Sequence, residues 1–171
     1  MAAGLDSLRH KRNRKAAFQF SLCVAVCLVV CVPASAQPLR IAGKAFVIDG
    51  DTVVINRRHI RLFGIDAFER DQTCGRFRCG AEARRVLQAL TQDQIVSCEQ
   101  QDIDPYGRMV AICRTAAGLD IGGEMVRRGL AVDYRTFSDR YMGEEADARA
   151  HRRGAWAYGF HSPLQYRRET R

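Results

Sequence analysis

Between positions 41 and 65 the sequence alternates short segments rich in Val, Ile and Phe (41–48, 52–55 and 60–65) with the punctuation Asp49-Gly50 and Asn56-Arg57-Arg58. Segments this short, bounded by turn formers, predict antiparallel strands and leave no room for helix over this stretch. Two further strand-like segments, 95–100 and 109–114, flank Asp104-Pro105-Tyr106-Gly107. Pro there has the φ that the second turn position needs, and Gly suits the fourth. Between the third and fourth strands, Ala83, Val86, Leu87 and Leu90 recur at i, i+3, i+4 and i+7, which predicts a helix over 80–90. A second helix is expected between an Asp120 cap and Gly129, and a third between Ser138 and Gly154. Five short strands with helices after the third and fifth imply an α+β domain, a five-stranded OB-fold β-barrel with about three α-helices.

Register adds chemistry to this outline. With Arg57-Arg58 as a two-residue turn, Val53 faces Leu62 and Ile55 faces Ile60 on an apolar side, while Val54 faces Arg61 on the other. The same register sets Asp49 opposite Asp66 and brings Asp51 to Gly64 at the open end of the hairpin. Carboxylates gathered without a base repel one another unless a cation or proton intervenes. A hard cation such as calcium answers that repulsion, and Glu69 is close enough in sequence to reach the same mouth. Taken singly, each residue has a plainer reading: Asp49-Gly50-Asp51 as a solvated turn, Arg61 on an exposed strand face.

The ends of the chain bear on compartment and domain organisation. The 171 residues, 47% apolar and 27% charged, suit one globular domain plus extra chain. A basic stretch, Arg9 to Lys15, precedes an apolar run, Ala16 to Val32, that ends in Pro33-Ala34-Ser35-Ala36. This is the layout of a signal peptide over 1–36, with cleavage expected between Ala36 and Gln37. The domain then covers 37–171, with its core at about 41–156 and a short C-terminal tail. The expected location is secreted or periplasmic; an N-terminal membrane anchor is the alternative, in which Gln19 and Ser21 interrupt the span. Five basic residues and one acid, Asp6, leave with the signal, so the formal charge falls from +8 to +4, which suits an anionic partner without requiring one.

Four of the seven cysteines lie beyond the signal: Cys74, Cys79, Cys98 and Cys113. An even number in an exported domain predicts two disulfides. The turn at 104–107 sets Cys98 opposite Cys113, which leaves Cys74 to close a small loop with Cys79. The spacing lacks the Cys-x-x-Cys pairs of structural zinc sites. His59, His151 and His161 show no paired metal spacing, and the arginines of His151-Arg152-Arg153 and Arg167-Arg168 read as solvated faces.

Three stretches, Val47-Ile48-Asp49-Gly50-Asp51-Thr52, Arg61-Leu62-Phe63-Gly64-Ile65-Asp66-Ala67-Phe68-Glu69 and Asp104-Pro105-Tyr106-Gly107-Arg108, resemble in order the signature motifs of the staphylococcal-nuclease-like (thermonuclease) family. Residues 127–131 and 145–149, with Gly154 and Trp156, are similar to that family's helical half, so the resemblance covers roughly 41–156. It implies a nuclease, a hydrolase cutting phosphodiester bonds of DNA and RNA to leave 3′-phosphate ends. It implies Ca2+ held by Asp51, Asp66 and the backbone carbonyl of Ala67. Glu69 would position or deprotonate the attacking water, and Arg61 and Arg108 would grip the phosphate. Tyr106 would contact substrate, and Asp49 would support the metal from behind its ligands. Nucleic acid is then the expected partner, with a monomer and no stable membrane association after cleavage.

The chain departs from the family pattern at Phe68, where proline is usual, at Pro105, where lysine is frequent, and at Arg135, which takes the place of a tyrosine that here falls at Tyr134. Phe68 marks Glu69 as the residue whose placement is most in question. A non-catalytic OB-fold module binding nucleic acid or another anionic polymer is the alternative function. Retention of Glu69 with both arginines argues against it.

Overall fold

The structure is a computed structural model and describes residues 38–170. The expected signal segment and its cleavage site lie outside the described residues. Among the described residues the strands are β1 (Arg40–Gly43), β2 (Phe46–Val47), β3 (Thr52–Ile55), β4 (Arg58–Leu62), β5 (Ile65–Ala67), β6 (Val96–Ile103), β7 (Met109–Arg114) and β8 (Ala131–Asp133). The helices are α1 (Cys79–Thr91), α2 (Ile121–Arg127), α3 (Met142–Ala150) and α4 (Pro163–Glu169), with a 3-10 turn at Gly154–Ala157.

Six strands form one mixed sheet in the order β1-β6-β7-β4-β3-β2, in which β4 and β7 run parallel, and β5 pairs with β8 separately. The sheet curls around its inner side chains as a half-barrel, the α+β OB-fold anticipated from the strand pattern. The five expected strands are all present, but the first is broken at Lys44-Ala45 into β1 and β2. The β5 and β8 segments, three residues each, are too short to announce themselves by periodicity. Alternation is clearest in β7, where Met109, Ala111 and Cys113 are buried and the residues between them are not. They pack with Val53, Ile55, Ile60 and Leu62 against Ala83, Val86 and Leu87 of α1 and Ile121, Met125 and Val126 of α2. Each fully buried Val, Leu or Ile contributes about 1.5–3 kcal/mol, so this face fixes the fold.

The two hairpins differ instructively from expectation. In β3–β4 the turn is Asn56-Arg57, both at positive φ (49° and 63°), the left-handed pair of a tight hairpin turn. The register therefore slides from the expected one: Val53 faces Ile60, Val54 faces His59, and Thr52 faces Arg61. Asp51 lies opposite Leu62, whose N–H donates to the Asp51 carbonyl at 2.8 Å, and Asp49 is not set against Asp66. The slide moves every partner by two residues, so each side chain keeps its face. In β6–β7 the 104–107 turn forms as expected, with Gly107 N–H donating to Asp104 O at 2.9 Å. Gly107 sits at φ 78°, where a Cβ would be strained, and adds a residue to the tip. A bulge between Gln100 and Asp102 restores the register, and Cys98 faces Cys113 as predicted. Both expected disulfides, Cys74–Cys79 and Cys98–Cys113, are present.

The first helix matches its prediction, and the second is capped by Asp120, whose side chain accepts from Gly123 N–H at 3.2 Å. The third begins later than expected. Ser138 Oγ accepts from Arg140 N–H within a preceding turn, and α3 starts at Met142, its entry fixed by Tyr141 N–H donating to the buried Asp133 at 3.1 Å. It ends at Ala150, short of Gly154, because Arg152 takes positive φ. The C-terminal tail carries a short helix, α4, started by Pro163 and capped by Ser162.

Candidate active site

The loop between β2 and β3 carries Asp51 into the protein, where it is 6% exposed. Its backbone N–H donates to the Asp49 carboxylate at 3.2 Å, so Asp49 shapes the turn that aims Asp51 inward. Two arginines tie down this loop from outside: Arg84 Nε of α1 and Arg70 Nη2 donate to the Ile48 carbonyl at 3.1 and 3.3 Å. Nothing in the spacing of Arg70 and Arg84 signals that role, because both bind backbone across the fold.

Asp66 stands on β5 and is 2% exposed. Arg61, on the outward face of β4, reaches over the strand end and joins the two carboxylates. Its Nη2 lies 3.1 Å from Asp51 Oδ2 and 3.1 Å from Asp66 Oδ1, and its Nη1 donates to Asp51 Oδ1 at 3.3 Å. Asp51 also accepts from Thr52 Oγ1 at 2.9 Å and from Ala67 N–H at 3.3 Å. Burial raises the Asp51 carboxyl above the ordinary range despite Arg61, and the nearby charge of Asp49 adds to the rise. Burial opposes the charge of Arg61, but Asp51 and Asp66 outweigh it and hold the guanidinium above its ordinary value. The Tyr134 ring sits 6.0 Å from the Arg61 guanidinium carbon, so the residue one position from the family's tyrosine does flank the site.

Glu69 follows on the loop after β5. Its backbone is fixed on two sides. Gln72, 1% exposed, accepts from Glu69 N–H through Oε1 at 3.1 Å and donates through Nε2 to the His161 carbonyl at 2.8 Å. Gly80 at the start of α1 approaches so closely that a Cβ there would overlap the Glu69 carbonyl. Phe68, placed where proline was expected, is 2% exposed and packs edge-on against Phe160 with ring centroids 5.0 Å apart. The anchoring that a fixed proline φ would have supplied is supplied here by aromatic packing.

The residue that sequence reasoning set aside is Arg167. From α4 its Nη1 and Nη2 donate to Asp66 Oδ1 and Oδ2 at 3.0 and 2.9 Å, and Nη1 also donates to Glu69 Oε1 at 2.7 Å. It lies 101 positions from Asp66 in sequence, so no local pattern could have revealed the pairing. Arg108 stands apart from the carboxylates. It ends the β6–β7 turn with Nε donating to Asp104 at 2.6 Å and its guanidinium 5.6 Å from the Tyr106 ring, and no contact links it to Asp51 or Asp66. Tyr106 is 81% exposed at the hairpin tip.

Among the described residues no three His, Cys, Asp or Glu side chains form a ready metal cage. The donor chemistry nonetheless suits a hard cation: Asp51 and Asp66 are buried oxygen donors that converge on a single nitrogen of Arg61, with the Ala67 backbone between them. The carboxylate pair is met by two guanidiniums, Arg61 and Arg167, and arginines so placed suit a phosphate.

Residues 59–158 match the family described as staphylococcal nuclease homologue. The chain is 32% identical to the micrococcal nuclease of Shigella flexneri over 169 residues, 88% of this chain and 92% of that protein. It is 35% identical to the succinoglycan biosynthesis protein ExoI of Rhizobium meliloti (strain 1021) over 71% of this chain and 66% of that protein. An uncharacterized endonuclease of Escherichia coli O157:H7 is 32% identical over 65% of this chain and 73% of its own length. The motifs, the curled sheet and these relatives agree: the chain belongs to the staphylococcal nuclease homologue family.

Proposed function

We propose that this protein is an exported, calcium-dependent nuclease that hydrolyses phosphodiester bonds of DNA and RNA and leaves 3′-phosphate ends. The observation that carries the reading is the convergence of buried Asp51 and Asp66 on Arg61 at the end of β4, with Glu69 held at the rim by Gln72. Asp51, Asp66 and the Ala67 carbonyl would hold Ca2+, which when bound supplies positive charge against the phosphate oxygens. Glu69 orients the attacking water and takes its proton. Arg61 presents planar donors to the phosphoryl oxygens as charge builds on them in the transition state. Arg108, now paired with Asp104, would turn to the phosphate when substrate arrives along the hairpin. Tyr106 offers an exposed ring to a base. Nuclease and endonuclease names among the relatives support the nucleic-acid substrate.

The test is hydrolysis of single-stranded DNA with added calcium. Activity is expected with calcium, lost with chelator, and reduced about 100-fold or more in Glu69→Gln, the size of effect of removing a general base. Full activity in the variant would refute the role of Glu69. No activity on any DNA or RNA would favour a binding module.

A further inference from the structure

Each carboxylate offers about four acceptor sites on its two oxygens. Asp51 accepts three hydrogen bonds, from Thr52, Ala67 N–H and Arg61 Nη1, and Arg61 Nη2 lies 3.1 Å from its Oδ2. Asp66 accepts from Arg61 once and from Arg167 twice, and Glu69 accepts from Arg167 as well. Arg167 thus covers the face of Asp66 that Arg61 leaves open, and it is the partner that joins Asp66 to Glu69. Its side chain is 25% exposed above an Asp66 carboxylate that is 2% exposed, so it lies on the solvent side.

The element that carries Arg167 is weakly fastened. The seven residues of α4 bury Pro163 and leave Leu164 and Arg168 exposed, and an isolated helix of this length is not stable in water. Docking depends on the segment just before it, through the Gln72 bond to the His161 carbonyl and the Phe160 packing. Such an element opens at low cost compared with the core. Formal charge points the same way. Asp51, Asp66 and Glu69 set against Arg61 alone leave two negative charges uncompensated, those that one divalent cation neutralises.

We propose that Arg167 is an internal counter-ion occupying the cation side of Asp66 and Glu69, and that calcium binding displaces it and releases α4. The inference rests on the reading of Asp51 and Asp66 as the calcium ligands. A closed, cation-free protein then keeps its carboxylates satisfied by its own C-terminal helix, and the cation competes with a tethered arginine for them.

Isothermal titration with calcium chloride tests this on the purified full-length chain, on Arg167→Ala and on Arg168→Ala. Both variants lose one positive charge from the same helix, but Arg168 is exposed and its field is screened at physiological salt. Calcium affinity is expected to rise about tenfold or more in Arg167→Ala, equivalent to about 1.4 kcal/mol, and to change less than about twofold in Arg168→Ala. In the unaltered protein, calcium should accelerate tryptic cleavage after Arg167 and Arg168, a measurement that needs no variant. Unchanged or weaker affinity in Arg167→Ala, equal tightening in both variants, or a cleavage rate indifferent to calcium would overturn the proposal. A protein that binds calcium in this way yet cuts no nucleic acid would refute the nuclease reading and leave this one standing. A calcium-dependent nuclease whose affinity ignores Arg167 would do the reverse.

Discussion

Arg61 and Arg167 hold the same carboxylate from opposite kinds of scaffold. Arg61 belongs to β4, which is hydrogen-bonded to β3 on one side and β7 on the other and bounded by the buried Ile60 and Leu62. Arg167 belongs to a short terminal helix with Pro163 as its buried residue. Both guanidiniums are held above their ordinary basicity, Arg61 against its burial by Asp51 and Asp66, and Arg167 against its burial by the bonds it donates to Asp66 and Glu69. Their electrostatics are alike and their mechanical support is not. An ion pair is only as permanent as the weaker of the elements that present it, so the difference separates a fixed donor from an exchangeable one.

The sharpest way to break this comparison is at Phe68, where the strand-built region and the C-terminal segment meet. Phe68→Ala should cost about 3–5 kcal/mol in urea unfolding, because the ring is buried among Cys74, Cys79, Ala155 and Phe160. A wild-type midpoint would mean that the C-terminal segment is not part of the cooperative core. A smaller effect is expected at Gln72. Gln72→Ala leaves the Glu69 N–H and the His161 carbonyl without their partner, at a cost of about 1–3 kcal/mol. It should also quicken tryptic release of α4 without calcium, and an unchanged cleavage rate would show that the clamp does not fasten the helix.

The smallest effect lies outside both regions, in the Arg108–Asp104 pair. Burial alone would raise Asp104, but bonds from the backbone and side chain of Arg108 outweigh it and hold the carboxyl below 3.8. A depressed folded value means that the charged carboxylate stabilises the protein above pH 3.8 and that this contribution disappears as pH falls below it. Asp104→Asn should therefore lower stability at neutral pH, by about 1 kcal/mol or less, and converge with the parent toward acid. Parallel pH–stability curves would contradict the assignment.

The sequence could be read wherever the physics is local. The i, i+3, i+4 pattern of α1, the Asp120 cap of α2, the strand alternation and the turn that sets Cys98 against Cys113 depend on neighbours within a few residues, and each appears where the sequence places it. The motif carboxylates Asp51 and Asp66 are also brought together, although by a turn at Asn56-Arg57 rather than the one expected. Left-handed φ at Asn is a modest preference that the following Arg does not reinforce, so the one-residue placement of that turn waited for the packing of Val53 and Ile60 on the core.

Other features were decided only when distant parts of the chain met. Gln72 became a clamp because His161 arrived beside it, and Phe68 an anchor because Phe160 did. Arg108 is held at its hairpin by Asp104. Arg167 reached Asp66 across 101 residues of sequence. A charged side chain at a chain end has no periodicity or spacing that names its partner; its contact exists only after the fold has closed, and that contact decides how the carboxylates are occupied.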